Sequence, residues 1–247
     1  MLGRPPISGG DSSSSPIGHR ARAKQASHRH TGPLMPKESV VTLDRFDRAL
    51  SYADYLAGVA VNRDQFEHNY HTVRLTDDDV AFFKAAAARP SGPAKILAIA
   101  EAWCPDVFRG LPVFARIAEV SGMALKVVAR DENPDIMDEF LLNGTARAIP
   151  VAVFYTRDHR YIDHWIERPA VAHAEIARVR AEFSAAHPTV DVKTATGAER
   201  QALISFFDAR LPQHYVAWQV ETIREIRELL ASAENRTAGR PAMVPAQ

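Results

Sequence analysis

The chain has 247 residues, 46% hydrophobic, 8% aromatic and 24% charged, which suits one or at most two globular domains and excludes a collagen-like, coiled-coil-only or wholly disordered protein. Its 30 Lys and Arg balance 30 Asp and Glu, so it lacks the basic excess that a phosphate backbone calls for, and nucleic acid is not an expected partner. Cys104 is the single cysteine, which excludes an intrachain disulfide and a thiolate-built structural zinc site and fits a reducing compartment.

No run approaches the roughly 18 consecutive apolar residues of a membrane span. Pro5, Pro6, Gly9, Gly10 and Ser12 to Ser15 occupy the place of a secretory signal's apolar core, so a cytoplasmic protein with no membrane partner is expected. Arg outnumbers Lys by 24 to 6 and Ala is abundant, which suits a GC-rich bacterial genome. Residues 1–38 hold 5 Gly, 5 Pro and 6 Ser without an aromatic residue, and 6 basic against 2 acidic residues. Too little apolar surface is present there to offset the entropy of ordering, so a disordered tail is expected, with Met35 as an alternative start.

From 39 to 88 the pattern is helical. Leu43, Phe46, Ala49 and Leu50 recur at three- and four-residue steps, as do Phe66, Tyr70 and Val73. Thr76 ahead of Asp77, Asp78 and Asp79 predicts the capped start of a helix that ends near Pro90. The middle alternates. A buried strand is predicted at 96–100, a helix at 108–120, and a second strand at 125–129. A helix then opens at Asn133-Pro134 and runs through Leu141 to a stop at Asn143-Gly144. A hairpin of strands 151–155 and 161–165 turns across Arg157 to Arg160, and a helix follows over 170–187. A terminal helical stretch over 198–233, interrupted at Pro212, repeats apolar residues at Val216, Val220, Ile223, Ile226 and Leu230 and is expected to pack on the domain.

The order β-α-β-α-β-β-α, with the only cysteine between the first strand and the first helix, frames one motif. Trp103-Cys104-Pro105-Asp106-Val107 resembles the Trp-Cys-x-x-Cys turn of the thioredoxin superfamily, and more closely the Trp-Cys-Pro-Asp-Cys form of a bacterial thioredoxin-like branch. Arg147-Ala148-Ile149-Pro150-Val151, with Pro150 46 residues beyond Cys104, looks like the segment whose cis proline faces the active-site thiol in that superfamily. The resemblance implies an α/β thioredoxin-like fold, a central mixed sheet flanked by helices, over about 89–190. A helical extension over 39–88, a C-terminal helix region over 191–233 and a disordered tail over 234–247 complete the expected organisation.

A thiol at a helix N-terminus meets free N–H groups and the positive end of the helix dipole, which favour thiolate. Cys104 is therefore the candidate nucleophile. Pro105 fixes the helix start, and Trp103 is expected to shield one side of the sulfur. Asp106 pulls the other way, because a carboxylate disfavours a second negative charge beside it. Ile149 and Pro150 would offer backbone groups to an extended substrate. Arg109 and Arg147 are candidates to support a thiolate electrostatically, although such arginines are more often solvated surface charges.

Val107 stands where the family carries its second cysteine, so a mixed disulfide at Cys104 has no resolving thiol within the chain. Ala98, six residues before Cys104, replaces the buried acid common in thioredoxins, and Glu101 is the nearest preceding carboxylate. Monothiol disulfide exchange is thus the expected chemistry, with a protein disulfide or a small thiol such as glutathione as partner. A non-catalytic thioredoxin-fold module that binds a protein or peptide is the alternative, in which Cys104 is a small hydrophobe left at a helix start. Thiol-dependent peroxide or glutathione-conjugate chemistry has no motif beyond the fold. His68 and His71 lie three apart without a third ligand, His159 and His164 are expected to be exposed, and nucleotide, serine-hydrolase and zincin motifs are missing, so no cofactor and no metal are expected.

Overall fold

A computed structural model describes residues 39–238. The expected tail over 1–38, with Met35, and residues 239–247 lie outside the described residues. The N-terminal helices are α1 (Leu43–Arg48), α2 (Tyr52–Gly58), α3 (Arg63–Thr72) and α4 (Asp77–Ala88). Local chemistry starts three of them. Thr42 Oγ1 accepts from the Arg45 N–H at 3.2 Å, Ser51 Oγ from the Asp54 N–H at 3.1 Å, and Thr76 and Asp79 form a reciprocal capping box.

Between α1 and α2 the sequence reading missed a two-residue strand, β1 (Leu50–Ser51), which is too short for any period to show. The remaining strands are β2 (Lys95–Ala100), β3 (Ala124–Ala129), β4 (Val151–Tyr155) and β5 (Tyr161–Ile166). They form one mixed sheet in the order β1-β3-β2-β4-β5, with β2 and β3 parallel and every other pair antiparallel. The parallel pair is joined by α5 (Pro105–Ser121), which ends at Gly122 in the left-handed conformation that glycine adopts freely. This is the α/β fold expected from the sequence. α5 packs on β2 and β3 and is itself flanked by α3 and α4.

The helix expected from Pro134 to Leu141 is shorter: α6 covers Pro134–Met137. Beyond it the chain tightens into i→i−3 turns, Glu139 N–H to Ile136 O and Phe140 N–H to Met137 O, which still bury Met137 and Phe140. Their spacing reflects burial through turns, not a continuing helix. α7 (Ala170–Ala186), α8 (Gly197–Asp208) and α9 (Tyr215–Ala238) complete the chain, with a 3-10 turn at Pro212–His214 where the interruption is expected. α9 runs past residue 233, so the part of the expected C-terminal tail that is described, 234–238, is helical. Arg89 pairs with Glu234 and Arg236 with Asp163 there.

One core joins Phe46, Phe66 and Phe83 of the N-terminal helices, Ile96 to Ala100 of β2, and Ile223, Ile226 and Leu230 of α9. The N-terminal helices thus share the sheet's core, and α9 packs on α5, α4 and β5. Glu225 fixes that packing by accepting from Trp165 Nε1 at 2.8 Å and from the Ala170 N–H at 2.7 Å. Val216 and Val220, read from the sequence as part of the inward stripe, face solvent instead. The first turns of α9 turn Trp218, Gln219 and Thr222 inward, a face one step around the helix. His164 is likewise buried, with Nδ1 2.6 Å from the Tyr161 hydroxyl, and His159 stacks on Tyr155 with ring centroids 4.5 Å apart; neither is the exposed histidine expected from a hairpin.

Candidate functional site

Cys104 is the N-cap of α5, directly after β2, with Pro105 in the first helical turn. The thiol is buried and reaches across to the strand that begins at β4: Sγ donates to the Ile149 carbonyl at 3.8 Å. The Ile149–Pro150 peptide is cis. Pro150 in turn lies on α5 at Gly110, where a Cβ would meet the proline Cγ at 2.9 Å. Only a residue without a side chain lets ring and helix approach this closely. Gly110→Ala is therefore expected to push the Pro150 segment away from Cys104 and cost about 1–3 kcal/mol, as overpacking of a full core does. Urea unfolding measures the cost, and an unchanged midpoint would contradict the close approach.

A buried ionic network adjoins the thiol. The Asp106 carboxylate, itself buried, pairs with Arg109 at 2.7 Å and with Arg168 at 2.7 Å, and Arg168 also pairs with Glu167. The Arg109 guanidinium lies over the rings of Tyr215 at 4.7 Å and Trp218 at 5.3 Å, so its side chain is nearly enclosed. The expectation of a solvated Arg109 is corrected: a carboxylate one turn away and two aromatic faces from α9 replace water around it. A cavity of about 20 Å³, room for about one water, lies among these side chains. Glu167 holds a left-handed backbone at φ 70°, and its N–H donates to the Pro150 carbonyl at 2.7 Å. Burial pushes the Glu167 carboxyl up, against the pull of Arg168, and the Asp106 charge adds to the rise.

The helix start does not win at Cys104. Burial pushes its thiol up, the Asp106 carboxylate pushes it further, and the N–H groups of Val107 and Asp106 together with Arg109 offset only part of the rise. The expectation of a lowered pKa is thus overturned, because desolvation exceeds the field of the helix start. Trp103 stands half exposed with the Arg130 guanidinium 4.9 Å from its ring centroid. Arg147 is exposed and bound by Asp138 at 2.7 Å. Val107, in the second cysteine's position, is fully buried.

A family model described as thioredoxin matches residues 49–183, more than half of the chain. The chain belongs to the thioredoxin family. No curated protein matches it. Among solved structures it is similar to a protein of unknown function from Pseudomonas aeruginosa, at 14% identity and a TM-score of 0.52, covering 76% of this chain and 95% of that one. It is also similar to an HIV epitope-scaffold, at 14% identity and a TM-score of 0.50, covering 79% of this chain and 99% of that one. At this identity both likenesses concern the fold. The thioredoxin-family match takes in β1 and the helices α2 to α4, so it starts within the region read from sequence as an extension.

Sequence reasoning placed Trp103, Cys104, Pro105, Asp106, Ile149 and Pro150 together, and it missed Glu167, Arg168, Tyr215 and Trp218. The only local signal for the missed group is the Glu167-Arg168-Pro169 run between β5 and α7. Tyr215 and Trp218 arrive from more than a hundred residues away. Among the described residues no cluster of three or more His, Cys, Asp or Glu is placed to hold a metal ion, and no helix is long and apolar enough to cross a membrane.

Proposed function

We propose that this thioredoxin-family protein carries out monothiol disulfide exchange, capturing an extended cysteine-bearing substrate at Cys104 and yielding it to an external thiol. The Cys104 thiolate attacks a substrate disulfide, one Cys104–substrate disulfide forms, and the substrate's second sulfur leaves as thiolate; an outside thiolate then attacks the substrate sulfur, forming a disulfide between the outside thiol and the substrate and releasing Cys104 as thiolate. The observation that carries the reading is the meeting of Cys104 Sγ with the Ile149 carbonyl beside Pro150, which sets the thiol next to a backbone that an extended chain can pair with. A thiol held largely neutral attacks slowly. Once in a disulfide its sulfur is also a poor leaving group, so capture outlasts turnover.

A peptide disulfide activated with thionitrobenzoate tests this. A one-to-one adduct on Cys104 is expected by mass spectrometry at pH 9, cleared by glutathione and missing in Cys104→Ser; failure to form an adduct at any pH would sink the proposal. The buried, uncharged thiol also favours a second reading, a binding module without exchange. Under that reading Cys104→Ser binds the same peptides as the native chain, while no adduct forms in either.

A further inference from the structure

A second concavity opens beside the Cys104 site, with a volume of about 570 Å³, inside the range of about 300–1,000 Å³ typical of ligand pockets. It shares Trp103 with the site but takes no lining residue from the Ile149–Pro150 segment; Leu50, Tyr55, Val59, Val61 and Ile136 are among its apolar lining. Trp103, Val61 and Leu50 are 52%, 50% and 49% exposed, so this wall faces solvent. Tyr55 is 9% exposed, and its hydroxyl is buried with no hydrogen-bond partner.

Backbone and charge narrow the occupant. β1 pairs only with Lys126 and Val127, the preceding α1 does not continue the pairing along β3, and Val128 and Ala129 of β3 line the groove. The Arg130 N–H donates inward to Ala100 O of β2, so by strand alternation the Ala129 N–H faces the outer edge that β1 leaves open, while the Ala129 carbonyl on that edge already accepts from Asn133 Nδ2 at 2.9 Å. Of the charged residues at the rim, Arg45 is bound by Asp135 and Arg48 by Asp44, whereas Glu101, whose Oε1 accepts from the Asp131 N–H at 2.8 Å, and Glu132 take part in none of the ion pairs among the described residues. After pairing, the groove is acidic.

We propose that this groove holds the chain flanking a substrate's reactive cysteine, as an extended segment that accepts from the Ala129 N–H, with a bulky apolar residue on the Val61 wall and a basic residue toward Glu101 and Glu132. The inference rests on the exchange reading for its placement beside Cys104. The Ala129 N–H supplies a main-chain hydrogen bond, and the alternate side chains supply selectivity.

The test uses the full chain and a fluorescein-labelled peptide that has serine in place of the reactive cysteine, followed by leucine and lysine. Kd by fluorescence anisotropy is expected to weaken at least about tenfold when the leucine is made serine, when the lysine is made glutamate, or when the exposed wall carries Val61→Asp, each step corresponding to about 1.4 kcal/mol. Glu132→Lys should reverse the preference between lysine and glutamate peptides. Equal binding of all peptides, or no response to Val61→Asp and Glu132→Lys, would overturn the groove proposal. The cysteine form of the peptide, activated with thionitrobenzoate, separates the two claims. Selective binding without any adduct on Cys104 would refute exchange and leave the groove, whereas adduct formation indifferent to leucine and lysine would refute the groove and leave exchange.

Discussion

Val107→Cys is expected to turn a monothiol site into a cycling dithiol, raising the rate of insulin disulfide reduction by dithiothreitol at least about tenfold over the native chain. Val107 lies in the first turn of α5, with its N–H on the Cys104 carbonyl at 3.0 Å. Residues three apart on a helix are neighbours, with Cβ atoms about 5–6 Å apart, and a small shift at a helix start brings two sulfurs to bonding distance. The gain comes from converting an encounter with an outside thiol into attack by a thiol already in place, which raises effective concentration by orders of magnitude. Two costs work against it. Val107 is fully buried, so the smaller cysteine leaves a void worth about 1 kcal/mol, and burial keeps the new thiol neutral for much of the time. A variant that folds, keeps two free thiols under oxidant and reduces insulin no faster than the native chain would refute the geometric claim.

Asp106→Asn is expected to lower the Cys104 pKa and destabilise the fold at once. The carboxylate raises the thiol because a thiolate beside it would place two negative charges in a buried site. Removing the charge while keeping the shape leaves Arg109, which favours the thiolate, without its counter-ion, so the direction is down. Each unit of fall raises the thiolate fraction at pH 7 about tenfold, and alkylation by iodoacetamide at that pH should rise accordingly. Breaking a buried ion pair by removing one partner costs about 3–5 kcal/mol; asparagine still accepts hydrogen bonds and Arg168 keeps Glu167, so about 2–3 kcal/mol is expected here. Denaturant unfolding and alkylation on the same sample read both effects. A more stable variant, or one labelled more slowly, would mean that the network does not set the thiol.

How far the site could be read from sequence follows from how its parts are connected. Trp103 to Val107 form one turn between a strand and a helix, so their proximity is covalent, and Pro150 opens a strand whose neighbour is β2. What surrounds the neighbouring Asp106 and Arg109 is another matter. Arg168 comes from the turn after β5, and Tyr215 and Trp218 come from α9, so the charged network beside the thiol depends on tertiary packing that no local pattern encodes. Arg109 shows the same limit, since its aromatic cover lies on another helix. In the fold, the alternation of strands and helices survived intact, while β1, two residues held between helix caps, had no period to detect. Val216 and Val220 obeyed helical spacing but lie on the outward face, because Trp218 and Thr222 fix which side of α9 turns inward.

The most direct test of the account is the rate at which Cys104 in the full chain exchanges with an activated peptide disulfide, followed from pH 6 to pH 10. A nucleophile that burial and Asp106 hold neutral should gain about tenfold in rate per pH unit from pH 7 to about 8.5, with any plateau lying above that value. A plateau already reached below pH 7 would contradict the electrostatic account of the site, and a rate of zero throughout would contradict exchange itself.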